Sequence, residues 1–298
     1  MDRFHMSNVT VAATQMPCSW DLPDNLARAE HLIRHAASEG AQVILIQELF
    51  ETPYFCIEQN IEHLDLAKTP EASLVIQKFS ELAKELNVVL PCSFFEKAEC
   101  AFFNSVAIID ADGSMLGIYR KSHIPNSPGY QEKTYFNHGD SGFKVWNTRH
   151  AKIGVGICWD QWFPEAARCM VLQGAELLLY PTAIGSEPFP APALDSSGHW
   201  QRTMCGHAAA NIVPLLASNR IGKETSQIDT RTEIDFYGHS FIADHTGAVV
   251  EQADMHSESI ITHTFDLDEI RRYRESWGVF RDRRPDLYGR ILTLDGQL

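Results

Sequence analysis

Two stretches of this chain follow one pattern: Glu39-Gly40-Ala41-Gln42-Val43-Ile44-Leu45-Ile46 and Gln173-Gly174-Ala175-Glu176-Leu177-Leu178-Leu179-Tyr180. Each opens on a polar residue and a glycine, passes through an alanine and a second polar residue, and ends in an apolar run. Glycine is the usual stop of a helix. A short unbroken apolar run bounded by such a stop reads as a strand buried on both faces. A helix-stop followed by a buried strand, used twice, predicts an α/β fold built from two similar halves.

The repeat extends outward. Val9-Thr10-Val11-Ala12-Ala13-Thr14 and Ile153-Gly154-Val155-Gly156-Ile157-Cys158 read as the strands that precede. Between strand and stop, Leu26, Ala29, Leu32, Ile33 and Ala36 fall at helical spacing in the first half. In the second half a helix is predicted to start near Pro164 and stop near Gly174. Downstream, Asn87-Val88-Val89-Leu90-Pro91 echoes Asn211-Ile212-Val213-Pro214-Leu215. Hairpins follow at Asp112-Gly113 and Thr246-Gly247. Each half therefore reads strand–helix–strand–helix–strand–hairpin. Two sheets packed face to face with helices outside give a four-layer α-β-β-α sandwich with a pseudo-twofold axis. A doubly wound single sheet is the alternative. No Gly/Ser- or Pro-rich linker divides the halves, so the expectation is one domain over 1–298, with a core of about 7–270.

Composition narrows the function classes. The formal net charge is −14 over 298 residues, which disfavours nucleic acid and anionic membranes as partners. Such a surface attracts a cationic small molecule or simply keeps the protein soluble, and charge alone leaves both open. No stretch approaches the apolar length of a membrane span, and residues 1–7 lack the apolar centre of a secretory signal. The seven cysteines, at 18, 56, 92, 100, 158, 169 and 205, include no CxxC pair. An odd, irregular set argues against a disulfide framework or zinc site and for a reducing, cytoplasmic setting. The thirteen histidines show no ligand spacing.

Three residues stand where open α/β sheets place their sites, at or just after strand C-termini. Cys158 ends an apolar strand shortly before a helix, where a helix N-terminus stabilises a thiolate. Buried structural cysteine is the plain alternative. Glu48 closes the strand Val43–Ile46, where partial burial raises a carboxyl pKa toward that of a general base. Lys121 follows the hairpin strand Met115–Tyr119, within Arg120-Lys121-Ser122-His123, a run that also suits a solvated basic cluster.

Taken together, Ile46-Gln47-Glu48-Leu49-Phe50, Tyr119-Arg120-Lys121-Ser122-His123 and Gly156-Ile157-Cys158-Trp159-Asp160 resemble, in order and separation, the three signatures of the nitrilase (carbon–nitrogen hydrolase) superfamily. The resemblance runs from about Val9 to at least Leu287. It implies the four-layer sandwich, Cys158 as nucleophile, Glu48 as general base and Lys121 as oxyanion stabiliser. It also implies the Trp159 N–H as second oxyanion donor and Glu132, in Gly129-Tyr130-Gln131-Glu132-Lys133, as the carboxylate that orients Lys121 and the substrate amide. No metal or organic cofactor is implied.

Further stretches resemble the N-carbamoylputrescine amidohydrolase branch, which releases putrescine, ammonia and carbon dioxide on the agmatine route to polyamines. They are Leu49-Phe50-Glu51-Thr52-Pro53-Tyr54-Phe55-Cys56, Lys121-Ser122-His123-Ile124-Pro125, Cys158 to Arg168, Ala183-Ile184-Gly185-Ser186-Glu187-Pro188 and Trp277 to Tyr288. Asn126 departs from the acidic residue of some relatives. The rivals are a β-ureidopropionase, which needs a cation for its substrate's carboxylate, an aliphatic or ω-amidase, and, in a different class, a catalytically silent interaction protein. A cationic ureide needs a remote carboxylate: Glu187 is the first candidate and Asp195 the second, with Tyr54, Asn126 and Trp159 also lining the pocket. The branch resemblance implies a homo-oligomer, at least a dimer and up to an octamer, with 271–298 at a subunit interface.

Overall fold

A computed structural model describes residues 8–187 and 196–297. In the first half, β1 (Asn8–Gln15) leads through α1 (Leu22–Ser38) to β2 (Val43–Leu45). The chain then passes through α2 (Leu74–Leu86) into β3 (Leu90–Ala98), β4 (Ala101–Ile109) and β5 (Met115–Arg120). Next come β6 (Val145–Asn147) and β7 (Lys152–Val155), then α3 (Pro164–Leu172), β8 (Leu177–Pro181), α4 (Ser196–Asn211) and β9 (Leu215–Ser218). A ribbon of β10 (Ile221–Thr225) and β11 (Glu233–Tyr237) precedes β12 (Phe241–Ala243), β13 (Val249–Gln252), β14 (Ser259–Asp266) and α5 (Leu267–Trp277).

The two helices of the first half are set by their caps. Asp21 accepts the Asp24 N–H at the start of α1, and Ser73 accepts the Ile76 N–H at the start of α2. Asn87 ends α2 in the left-handed region, at φ 56°.

The strand order discloses how the halves are joined. One sheet runs β13-β12-β9-β8-β7-β6. The other runs β14-β1-β2 and continues to β3-β4-β5 through the Ile44 N–H on the Val89 carbonyl (3.0 Å) and the Val89 N–H on the Gln42 carbonyl (2.8 Å). The two orders correspond strand for strand. In each, two parallel steps are followed by antiparallel hairpin strands, and the first strand carries an antiparallel neighbour at its outer side. That neighbour is exchanged: β6 follows the first half's hairpin but pairs with β7, and β14 follows the second half's but pairs with β1. Sequence patterning anticipated the repeat; it missed this exchange and the β10–β11 ribbon.

Alternation along the buried strands fixes the layers. Val11, Val43, Leu45, Leu177 and Leu179 point between the sheets, where they meet Val106, Ile153 and Ile242. Their neighbours point outward. Ala12, Ile44 and Ile46 pack on Leu32 and Ile33 of α1 and Phe79 of α2. Leu178 and Tyr180 pack on Met170 of α3 and Trp200 of α4. A continuous apolar run was required because each of these strands is covered on both faces. The architecture is the four-layer α-β-β-α sandwich.

Leu179, wholly buried between the sheets, should be sensitive to truncation. Leu179→Ala should lose about 2–5 kcal/mol in urea unfolding. Leu172→Ala, on the exposed side of α3, should stay within about 0.5 kcal/mol of the parent.

Candidate active site

Glu48 lies beyond β2, Lys121 beyond β5 and Cys158 beyond β7, while Glu132 opens a short 3-10 turn, Glu132–Thr134. The fold brings all four together out of contact with bulk water. The Lys121 ammonium donates to Glu48 Oε1 at 2.9 Å and to both oxygens of Glu132 at 2.8 and 2.7 Å. Burial alone would lower the lysine pKa. Glu132 and Glu48 outweigh it and hold the amine as an ammonium. Burial pushes the Glu132 carboxyl up while Lys121 pulls it back. The easy alternative for Lys121, a solvated basic cluster, is overturned: its neighbours Arg120, Ser122 and His123 are partly exposed, Arg120 on Glu96 and Asp140, whereas Lys121 itself is buried.

Glu48 is held by one oxygen and open at the other. Oε1 also accepts Asn104 Nδ2 at 2.6 Å, whereas Oε2 is buried with no hydrogen-bond partner among the described residues. A buried carboxylate oxygen that no protein donor holds is the one placed to receive a proton.

Cys158 stands three residues past the end of β7, at the first position of a 3-10 turn, Cys158–Trp162, where the sequence pattern had the strand run on to it; α3 opens at Pro164, as expected. Burial pushes the Cys158 thiol's pKa well above the ordinary value, Glu48 adds to the shift, and Lys121 opposes it. The resting thiol donates to the Ala183 carbonyl at 3.7 Å. The backbone at Cys158 is left-handed, with φ 40°, a conformation non-glycine residues adopt sparingly and often at functional sites.

Several residues support the four, among them Gly156, whose close approach its sequence position suggested, and Tyr54, expected at the pocket. Asp160 ties the nucleophile's turn to its surroundings: it accepts the Ile157 N–H (2.9 Å), the Tyr119 hydroxyl (2.7 Å) and the His123 N–H (3.0 Å). Gly156 is pressed by Tyr180, whose ring would lie 2.7 Å from an added Cβ. Gly139 hands its N–H to the Lys121 carbonyl at 2.9 Å, and a Cβ there would sit 2.1 Å from the Arg120 oxygen. Tyr54 donates its hydroxyl to Glu132 Oε1 at 2.6 Å. Arg220, wholly buried, grips the segment that carries the base: it donates to the carbonyls of Glu48 (2.7 Å), Leu49 (3.0 Å) and Thr52 (3.3 Å). Glu224 pairs with Arg220 at 2.8 Å and accepts the Tyr54 N–H.

Comparison with known proteins gives the family. The carbon-nitrogen hydrolase family model matches residues 10–275. The chain belongs to the carbon–nitrogen hydrolase family. It is 60% identical to an N-carbamoylputrescine amidase of Arabidopsis thaliana, over 97% of each chain. It is 54% identical to a citrullinase of Francisella tularensis, over 96% of this chain and 99% of that one. Among solved structures, a carbon-nitrogen hydrolase from Helicobacter pylori superposes with a TM-score of 0.91 at 35% identity, covering 96% of this chain and 99% of that chain.

Around the buried set, this carbon–nitrogen hydrolase presents a rim of less constrained residues. Trp159 is partly exposed and packs its ring against Trp162. Tyr130, missed from sequence as an individual site residue, exchanges hydrogen bonds through its hydroxyl with the Gly185 carbonyl and N–H, and its ring meets Tyr54. Glu187 is exposed on the segment that follows Gly185. Asn126 is exposed on the loop before Gly129 and shows no contact with the buried set. Asp195 lies outside the described residues.

The Arg220–Glu224 pair should behave as a unit. Arg220→Met strands a buried carboxylate and should cost about 3–5 kcal/mol in urea unfolding. The double variant with Glu224→Leu should recover a large part of that loss. Equal losses in the single and double variants would show that the pair is not coupled.

Proposed function

We propose that this hydrolase converts N-carbamoylputrescine to putrescine, ammonia and carbon dioxide through a carbamoyl thioester on Cys158. The observation that carries the reading is the buried set in which a protonated thiol adjoins Glu48, whose second oxygen is unpaired, beside a Lys121 ammonium. The 60% identity to an amidase of that name supports the substrate.

The chemistry follows from the charges. Glu48 Oε2 takes the thiol proton as Cys158 Sγ attacks the ureido carbon. The carbonyl oxygen gains negative charge, which the Lys121 ammonium and the Trp159 N–H stabilise. Lys121 yields one of its two contacts with Glu132 to do so. The C–NH₂ bond breaks and the proton on Glu48 leaves with ammonia. A water then gives a proton to Glu48 and attacks the thioester, and Cys158 recovers its proton as the thiol leaves. The freed carbamate loses carbon dioxide and leaves the amine.

For specificity, Glu187 reads the remote ammonium and Tyr130 spaces it from Cys158. A citrulline-type substrate ends in an α-carboxylate as well as an ammonium. That carboxylate would meet Glu187, and both buried cations of the site, Lys121 and Arg220, are already engaged. The chain's net charge of −14 also favours a cationic ureide.

A homo-oligomer completes the reading, with the segment 271–298 at a subunit interface. Its support is a run of large apolar side chains left exposed on one protomer: Trp277, Leu287, Ile291, Leu292 and Leu294. A reducing cytoplasm suits seven cysteines that are all free. No helix among the described residues is long and apolar enough to cross a membrane.

Product analysis with N-carbamoylputrescine, citrulline, N-carbamoyl-β-alanine and a plain amide tests the substrate, and the first should be turned over fastest by kcat/KM. Preference for either carboxylate-bearing ureide would overturn the assignment. Cys158→Ser should fold and lose turnover. Lys121→Ala should lose at least about 100- to 1,000-fold in kcat. Glu48→Gln should be no less severe, since Glu48 serves both half-reactions. Glu187→Gln should raise KM for the cationic ureide far more than for a neutral one of equal length.

A further inference from the structure

A cavity of about 280 Å³ is lined by the segment that follows Glu48 and by none of Glu48, Lys121, Glu132 and Cys158. Its walls are mostly apolar and include Leu22, Phe55, Leu66, Leu74 and Phe95. Leu49 and Thr52, whose carbonyls Arg220 holds, also line it. Two acids, Glu51 and Asp65, and Lys68 are set among them. The Glu51 side chain borders the cavity, and among the described residues its carboxylate has no hydrogen bond or ion pair. Lys68, on the rim, gives its ammonium to the Asp65 carbonyl at 2.7 Å and acts on Glu51 only at a distance.

We propose that this cavity is a second ligand site, one that binds a primary alkylammonium ion with the ammonium on Glu51 and the carbon chain along Leu22, Phe55, Leu74 and Phe95. The argument is complementarity. A mostly apolar pocket with two carboxylates at its wall, of which Glu51 is the one without a partner, fits a ligand with an apolar body and one cationic end. An acid that lacks a partner at the wall of such a pocket calls for a donor, and a cation satisfies it most strongly. Burial raises the Glu51 carboxyl to about 7, against the pull of Lys68; an ammonium seated on it would restore the carboxylate. A neutral alcohol of the same shape would gain the apolar contacts without this. The chain's negative charge favours entry of a cation over an anion. The site does not depend on which ureide the catalytic centre hydrolyses.

Isothermal titration of the full-length protein with n-butylammonium chloride tests the site, because its readout is binding and not turnover. The parent should bind the probe. Glu51→Gln should weaken it at least about ten-fold, a loss of 1.4 kcal/mol or more. Leu74→Trp, which fills the cavity from an exposed position, should weaken it as much with Glu51 intact. Both variants should keep the parent's melting temperature and its KM for the best ureide. If n-butylammonium binds all three proteins alike, or none of them, the proposal is overturned. If n-butanol binds the parent as tightly as the ammonium does, the role of Glu51 is overturned.

Discussion

Everything at the centre of this molecule is arranged around one ammonium buried between two carboxylates. Removing Lys121 from water carries a penalty of several kcal/mol even after relaxation. Glu48 and Glu132 offset it only because their own positions are fixed by neutral donors, Asn104 on the first and Tyr54 on the second. The three charges sum to one negative. Burial disfavours a thiolate at Cys158, and the negative charge of Glu48 adds to that against the pull of Lys121, so the resting thiol keeps its proton. The site is thereby poised so that negative charge is best tolerated on a substrate oxygen beside Lys121. Catalysis in such a site comes from fixed charges that need no rearrangement as the reaction proceeds.

That arrangement demands a rigid frame, and the frame comes from both sheets. Glu48, Asn104 and Lys121 arise from the first; Cys158 and its Ala183 acceptor arise from the second. The reciprocal exchange of β6 and β14 locks the sheets to each other, since neither half completes its own sheet. Arg220 adds a clamp across the interface. It comes from just beyond β9 in the second sheet and holds carbonyls just beyond β2 in the first. Because the base is the first residue of that clamped segment, small displacements there reach Glu48 directly. The cavity bordered by Glu51 shares the same wall.

Leu49 and Cys158 illustrate how local conformation is subordinated to the site. Both are non-glycine residues with positive φ, 47° and 40°. Neither would adopt that backbone alone. Leu49 is held by its N–H on the Ser93 hydroxyl (2.9 Å) and by Arg220 on its carbonyl. Cys158 is held by the Asp160 carboxylate on the preceding N–H. Surrounding hydrogen bonds outweigh the intrinsic preference of each residue.

What the sequence determined by itself was set by periodicity and local chemistry. The glycine stops at Gly40 and Gly174, with the apolar runs behind them, dictate buried strands and a twofold repeat, because only a strand covered on both faces tolerates such a run. The position of Glu48, Lys121 and Cys158 at or just after strand ends was legible in the same way, but their roles came from the resemblance of the three stretches that carry them to a known family. The tertiary structure decided what depends on distant contacts. Which sheet β6 and β14 join, the burial of Lys121, the protonated state of Cys158 and the grip of Arg220 on Glu48 each rest on residues far apart in sequence. An arginine between Asn219 and Ile221, or an asparagine between Phe103 and Ser105, carries no local mark of its partner. Charge and proton placement follow from dielectric and geometry, and those exist only once the sheets have closed on each other.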